Sequence, residues 1–151
     1  MELIRTENPK QMIVLIENDR CIADAIQIVT GTRFGRRSAK LVPYGKMAAT
    51  FLHTETNEAY RVNVRFLHPR SAHGAEDVER ALHVPDAELL AWRRVTVTIK
   101  PDDLPGKPRR TVNCARCGEK VFDGRDVGDD AAPLCAACAH GPYYDLVDVD
   151  A

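Results

Sequence analysis

Two cysteine pairs, Cys114-Ala115-Arg116-Cys117 and Cys135-Ala136-Ala137-Cys138, stand 17 residues apart and constrain this chain more than any other feature. Thiols spaced by two residues present both sulfurs from one tight turn, so each pair supplies half of a tetrahedral site. The spacing falls in the window of four-thiolate zinc sites. Gly118 follows the first pair, where the chain must turn sharply beneath a metal. Zinc is the expected occupant. Iron in a rubredoxin-like site is the alternative, since ligand softness does not separate the two metals. Two disulfides, or four unconnected thiols, are the plainer readings. With four protein ligands no position stays open for water or substrate, so the expected site is structural and not catalytic.

The 151 residues suit one domain, or a core domain with a small appendage, and 44% hydrophobic residues are enough for a real core. A net charge of −1 gives no bulk attraction to nucleic acid or anionic membrane. The charge is uneven: residues 1–100 carry 15 basic and 12 acidic side chains, residues 101–151 carry 6 and 10. A zinc tetrathiolate adds further negative charge to that end. An acidic metal appendage is a poor reader of phosphates, so nucleic-acid binding is not expected. Met1-Glu2-Leu3-Ile4-Arg5 opens no secretory signal, and no apolar run approaches the roughly 20 residues of a membrane span. Five cysteines, four of them in metal spacing, fit a reducing cytoplasm.

Met12–Ile16 is a continuous apolar run that reads as a buried strand. Asp19 is the expected N-cap of a helix from Cys21 to Val29. Its apolar positions Ile22, Ala25, Ile26 and Val29 mark the face toward the core, and Gly31 ends it. Cys21, Asp24 and Gln27 step by three along another flank. A thiol at a helix start feels the macrodipole, which favours a reactive or metal-binding thiolate; the plainer reading is a small buried cysteine beside two solvated polar residues. Thr30–Arg37 is a glycine-punctuated basic loop with no phosphate-loop spacing.

Ala39–Val42 reads as a short strand. Lys46–His53 and Ala59–Phe66 form a hairpin, the second strand alternating Tyr60, Val62, Val64 and Phe66 against Arg61, Asn63 and Arg65. Helices are expected over Ala75–Val84 and from Pro85-Asp86 through Trp92, then a strand over Val95–Ile99. His53, His68, His73 and His83 have no ligand spacing. Three prolines between Pro101 and Pro108 mark a stiff linker. The expected organisation is a core domain over 1–100, a linker over 101–110 and a zinc-binding domain over 111–151.

Several of these stretches together resemble the E-subunit family of formylmethanofuran dehydrogenase. They are Glu17–Gln27, Thr30-Gly31, Tyr44–Phe51, Arg61-Val62, Asp103–Gly106, Cys114–Glu119, Cys135–Cys138 and Gly141–Tyr144. The resemblance spans roughly residues 10–145. It implies an α+β fold, a mixed and largely antiparallel sheet with packed helices, plus a small C-terminal four-cysteine zinc ribbon of treble-clef-like form. It also implies the company of a molybdenum or tungsten enzyme that interconverts carbon dioxide and formylmethanofuran, as in archaeal methanogenesis. Family members begin with a His-Gly-His-x-Cys-Pro segment that has no counterpart before Met12, and they carry a cysteine where this chain has Thr32. Only Cys21 and Asp24 therefore match the family's N-terminal site, a thin ligand set for a second metal. The chain is expected to be a degenerate member, or one whose start was lost or misassigned.

Three functions follow. The first is a non-catalytic zinc protein, a subunit or accessory factor of molybdenum- or tungsten-dependent one-carbon chemistry. The second is a thiol-dependent enzyme or redox protein using Cys21, with Asp24 beside it. The third is nucleic-acid binding through the ribbon by Arg109, Arg110, Arg116 and Lys120. A homodimer through the alternating hairpin and the one tryptophan, Trp92, is a further expectation.

Overall fold

The computed structural model describes residues 11–65 and 83–147. The chain divides into two compact units, Met1–Ile99 and Lys100–Ala151.

In the first unit, β1 (Met12–Ile16) pairs in parallel with β2 (Ala39–Leu41) and antiparallel with β3 (Ala48–His53). The sheet continues antiparallel through β4 (Ala59–Val64) and β5 (Leu90–Val95), in the order β2-β1-β3-β4-β5. Parallel neighbours need a crossover, and helix α1 (Cys21–Thr30) provides it. Met12, Val14 and Ile16 point toward α1 and pack with Ala23, Ala39 and Ala49, flanked by Ile26 and Phe51. The other side of β1 and β3 buries Ile13 and Leu52. Burial on both faces explains why β1 is unbroken apolar sequence. Each such side chain contributes about 1.5–3 kcal/mol.

Helix α1 faces differently from its periodicity. Ala23 and Ile26 meet the core, whereas Ala25 is exposed and Val29 and Ile28 are 85% and 74% exposed. The helix is apolar on two flanks, so period alone does not choose between them; small Ala23 lets the backbone come close to the sheet. The entry also differs: Asn18, not Asp19, shapes it, its Oδ1 accepting the Arg20 amide at 3.0 Å. Gly31 closes the helix in the left-handed conformation (φ 72°), its amide donating to the Gln27 carbonyl. Arg33 in the basic loop donates to the Gln27 and Thr32 carbonyls, placing a cation at the helix C-terminus.

The helix expected through Trp92 is a single turn, Asp86–Leu89, and Leu90 opens β5. Pairing with β4 overrides local preference, with Val64 opposite Leu90 and Val62 opposite Trp92. Of the strand expected over Val95–Ile99 only Val95 is in the sheet. The helix expected over Ala75–Val84, and His68 and His73, lie outside the described residues, apart from His83 and Val84 in a turn and a bend. Among the described residues, no helix is long and apolar enough to cross a membrane.

Candidate metal centre

The second unit is built around the cysteines. Strands β6 (Thr111–Asn113) and β7 (Lys120–Phe122) form a hairpin, and its turn carries the first pair. The Cys114 amide donates to the Glu119 carbonyl at 2.8 Å and the Gly118 amide to the Cys114 carbonyl at 2.9 Å. Gly118 sits at φ 78°, which an L side chain adopts only under strain. The second pair begins a short helix, Ala136–His140, capped by Cys135, whose Sγ accepts the Cys138 amide at 3.3 Å. A hairpin turn facing a helix start is the treble-clef form of the expected ribbon.

Backbone and side-chain hydrogen bonds also join the two halves. The Ala115 amide donates to the Pro133 carbonyl at 2.8 Å, and Arg116 Nη1 donates to the Cys138 carbonyl. Val127 and Leu134 exchange both backbone bonds and aim the chain toward Cys135. Asp129 ties the intervening loop by accepting the amides of Ala131 and Ala132. Arg110 forks onto Asp126 (Nε to Oδ1 3.0 Å, Nη2 to Oδ2 2.7 Å) and also reaches Asp130 at 2.7 Å. That bidentate bond holds the Asp126 carboxyl below its ordinary range. The supports made by Ala115, Arg116 and Arg110 join residues 16 or more apart and carry no local sequence signal.

All four sulfurs lie within 4.8 Å of one another, and Cys117 Sγ is 3.9 Å from Cys135 Sγ. A tetrahedron with metal–sulfur bonds of about 2.3 Å has edges of about 3.8 Å, so the donor set fits one tetrahedral metal ion. Burial is graded. Cys114 is 2% exposed, Cys135 and Cys138 are half-buried, and Cys117 is open to solvent.

Four thiols this close do not ionise alike. The amides of Cys117 and Cys135 draw Cys114 down to about 6. The Cys135 thiol beside it, with burial, pushes Cys138 up to about 12. Cys117 is also raised: the Glu119 amide favours its thiolate, but the neighbouring Cys114 and burial outweigh it. The first thiolate forms readily and later ones meet its charge. A bound dication removes that conflict.

Cys21 and Asp24 both lie exposed in the first turn of α1. Among the described residues, the only group of three or more His, Cys, Asp and Glu side chains arranged for a metal is the four-cysteine one, so neither joins such a group. His53 Nδ1 accepts the Thr56 amide in the β3–β4 turn.

A family model described as "FmdE, Molybdenum formylmethanofuran dehydrogenase operon" matches residues 1–98. The chain belongs to the FmdE family. Its four cysteines lie beyond the matched stretch. Among solved structures it is similar to a tungsten formylmethanofuran dehydrogenase FmdE-like protein from Syntrophus aciditrophicus. The two are 24% identical with a TM-score of 0.60, over 88% of this chain and 73% of the other. They share the fold. No curated protein matches the chain. This FmdE chain thus joins a five-stranded α+β unit to a unit whose four cysteines can hold a metal ion.

Proposed function

We propose that this FmdE protein is a non-catalytic zinc protein, a subunit or accessory factor of molybdenum- or tungsten-dependent formyl and carbon dioxide chemistry in the cytoplasm. The core would span 1–100, the linker 101–110 and the zinc-binding domain 111–151. One observation carries the reading: the chain itself supplies four thiol donors at tetrahedral separation, so a zinc ion there has no vacant position for a substrate. Zinc supplies structure, tying the β6–β7 turn to the helix start. Cys114, Cys117, Cys135 and Cys138 hold it, and Arg116 braces the second pair through the Cys138 carbonyl.

Docking on a larger oxidoreductase is supported by the apolar edge of the sheet. Trp92, 51% exposed, stacks edge-on against Tyr60 with ring centroids 5.8 Å apart, beside exposed Leu90. Aromatic side chains of this kind anchor interfaces. The test is affinity capture of the tagged protein from cells grown with molybdate or tungstate. A pterin-metal oxidoreductase in the captured set supports the proposal, and its absence under both growth conditions refutes it.

A thiol-dependent enzyme is the second reading, favoured by the exposed Cys21 thiol at the first residue of α1. Cys21→Ser separates the two: it abolishes a thiol-dependent activity and leaves partner capture intact.

A further inference from the structure

The four sulfurs are not equivalent, and their differences assign an order of attack. Cys114 is sealed at 2% exposure, Cys117 is open, and Cys135, half-buried, lies 3.9 Å from Cys117. Oxidation of a thiolate by a peroxide requires direct approach to sulfur, so susceptibility follows exposure. The resolving thiol must then reach the same sulfur. Cys135 is within reach and belongs to the other half of the site, so a link to it joins the β6–β7 turn to the start of the short helix.

The geometry points to the Cys117–Cys135 pair as a peroxide-sensitive latch that releases the metal from the C-terminal unit. This rests on the zinc reading above. The Cys117 thiolate attacks one oxygen of hydrogen peroxide; an S–O bond forms, the O–O bond breaks and hydroxide leaves. The Cys135 thiolate then attacks the oxidised sulfur; an S–S bond forms, the S–O bond breaks and a second hydroxide leaves. The two sulfurs together lose two electrons and the peroxide gains them. The S–S bond is about 2.05 Å, so the sulfurs close by nearly 2 Å and cease to be thiolate donors. Cys114 and Cys138 remain, two ligands where a structural zinc site needs four.

Arg116 lies between the first two cysteines, which makes the product readable. Trypsin places Cys114 in peptide 111–116, Cys117 in 117–120, and Cys135 with Cys138 in 126–151. The experiment treats the intact zinc-loaded protein with hydrogen peroxide, follows metal release with a colorimetric chelator, blocks remaining thiols by alkylation and maps the digest. Expected is a cross-link between 117–120 and 126–151, fragmenting at Cys135, rising in step with zinc release. Dithiothreitol with added zinc should restore the starting state. Links within either pair, sulfinic acids without a cross-link, or zinc retained under peroxide overturn the latch and leave the zinc reading standing. A protein with no zinc before peroxide overturns the zinc reading, and the latch with it. No substitution is needed, so loss of folding in a cysteine variant cannot obscure the result.

Discussion

Glu17, at the end of β1, and Arg61, in β4, grip each other across the intervening strand β3. Arg61 Nε meets Oε1 at 2.6 Å and Nη2 meets Oε2 at 2.7 Å. The side chains are 6% and 24% exposed, so the pair is largely withdrawn from water. Its bidentate geometry offsets the cost of taking both charges into the fold. Removing one partner leaves the other charged and buried. Arg61→Ala should therefore cost about 3 kcal/mol in urea unfolding, while exposed Arg93, opposite Arg61 on β5, should tolerate alanine with about 0.5 kcal/mol or less. Equal losses would contradict the clasp.

The same pair sets a pH dependence. Hydrogen bonding from Arg61 lowers the Glu17 carboxyl against the opposing effect of burial, aided by the charges of Arg61 and Lys46. In acid the unfolded chain therefore binds more protons here than the folded one. The stabilisation is complete above the unfolded carboxylate value and drains away as pH falls through it toward the lower folded value. In Arg61→Ala the buried carboxyl loses its partner and burial favours its neutral form, so acid should relieve part of the variant's deficit and the gap to the parent should narrow as pH falls. Denaturation midpoints measured from pH 7 to pH 3 check the direction.

Metal content and thiol count should agree. Elemental analysis is expected to give about one zinc per chain. Iodoacetamide should then label one cysteine, Cys21 in tryptic peptide 21–33, and all five once a chelator has removed the metal. Chelation should leave the five-stranded sheet intact and expose the C-terminal unit to proteolysis. A chelator that strips metal and alters nothing in residues 111–147 would falsify the structural role.

Gly118 offers a gentler probe than a ligand substitution. A Cβ there meets no atom within 4 Å, so Gly118→Ala adds no clash and only the strain of a left-handed backbone. The cost should be about 1 kcal/mol, seen as roughly fivefold weaker zinc in a chelator competition. Gly118→Asn should lose less, because asparagine tolerates that conformation better. An alanine variant indistinguishable from the parent would remove the turn from the account.

Trp92 is the one tryptophan and stands on the proposed docking edge. Trp92→Arg should cost about 1 kcal/mol through the lost Tyr60 contact, with zinc content unchanged. It should also abolish capture of the oxidoreductase. Capture that survives would move the docking surface elsewhere.

The cysteine cluster was legible because metal-ligand spacing is local: two residues within each pair dictate the turn, whatever the rest of the chain does. Met12–Ile16 was legible to the residue for a related reason, since burial on both faces leaves an uninterrupted apolar run. Contacts distant in sequence were hidden. The Glu17–Arg61 clasp joins residues 44 apart, and the Arg110–Asp126 fork joins residues 16 apart. Leu90–Val95 read partly as helix because its strand character comes from β4 alongside. The orientation of α1 was ambiguous because it has two apolar flanks: Ile22, Ala25 and Val29 make as good a stripe as Ala23 and Ile26.

The order of the sheet bears on how the chain is made. β1 finds its neighbours only in β2 and β3, both later in the sequence and reached through α1. During synthesis Met12–Ile16 must wait, unpaired, until the roughly 25 residues to the end of β2 have been added, and longer for β3, a non-local closure of the kind that slows folding. Five apolar residues held open that long invite pairing with the same stretch of a neighbouring nascent chain. Glu17 and Asp19, just beyond the strand, place negative charge where such stacking would begin, before Arg61 has been added to neutralise Glu17.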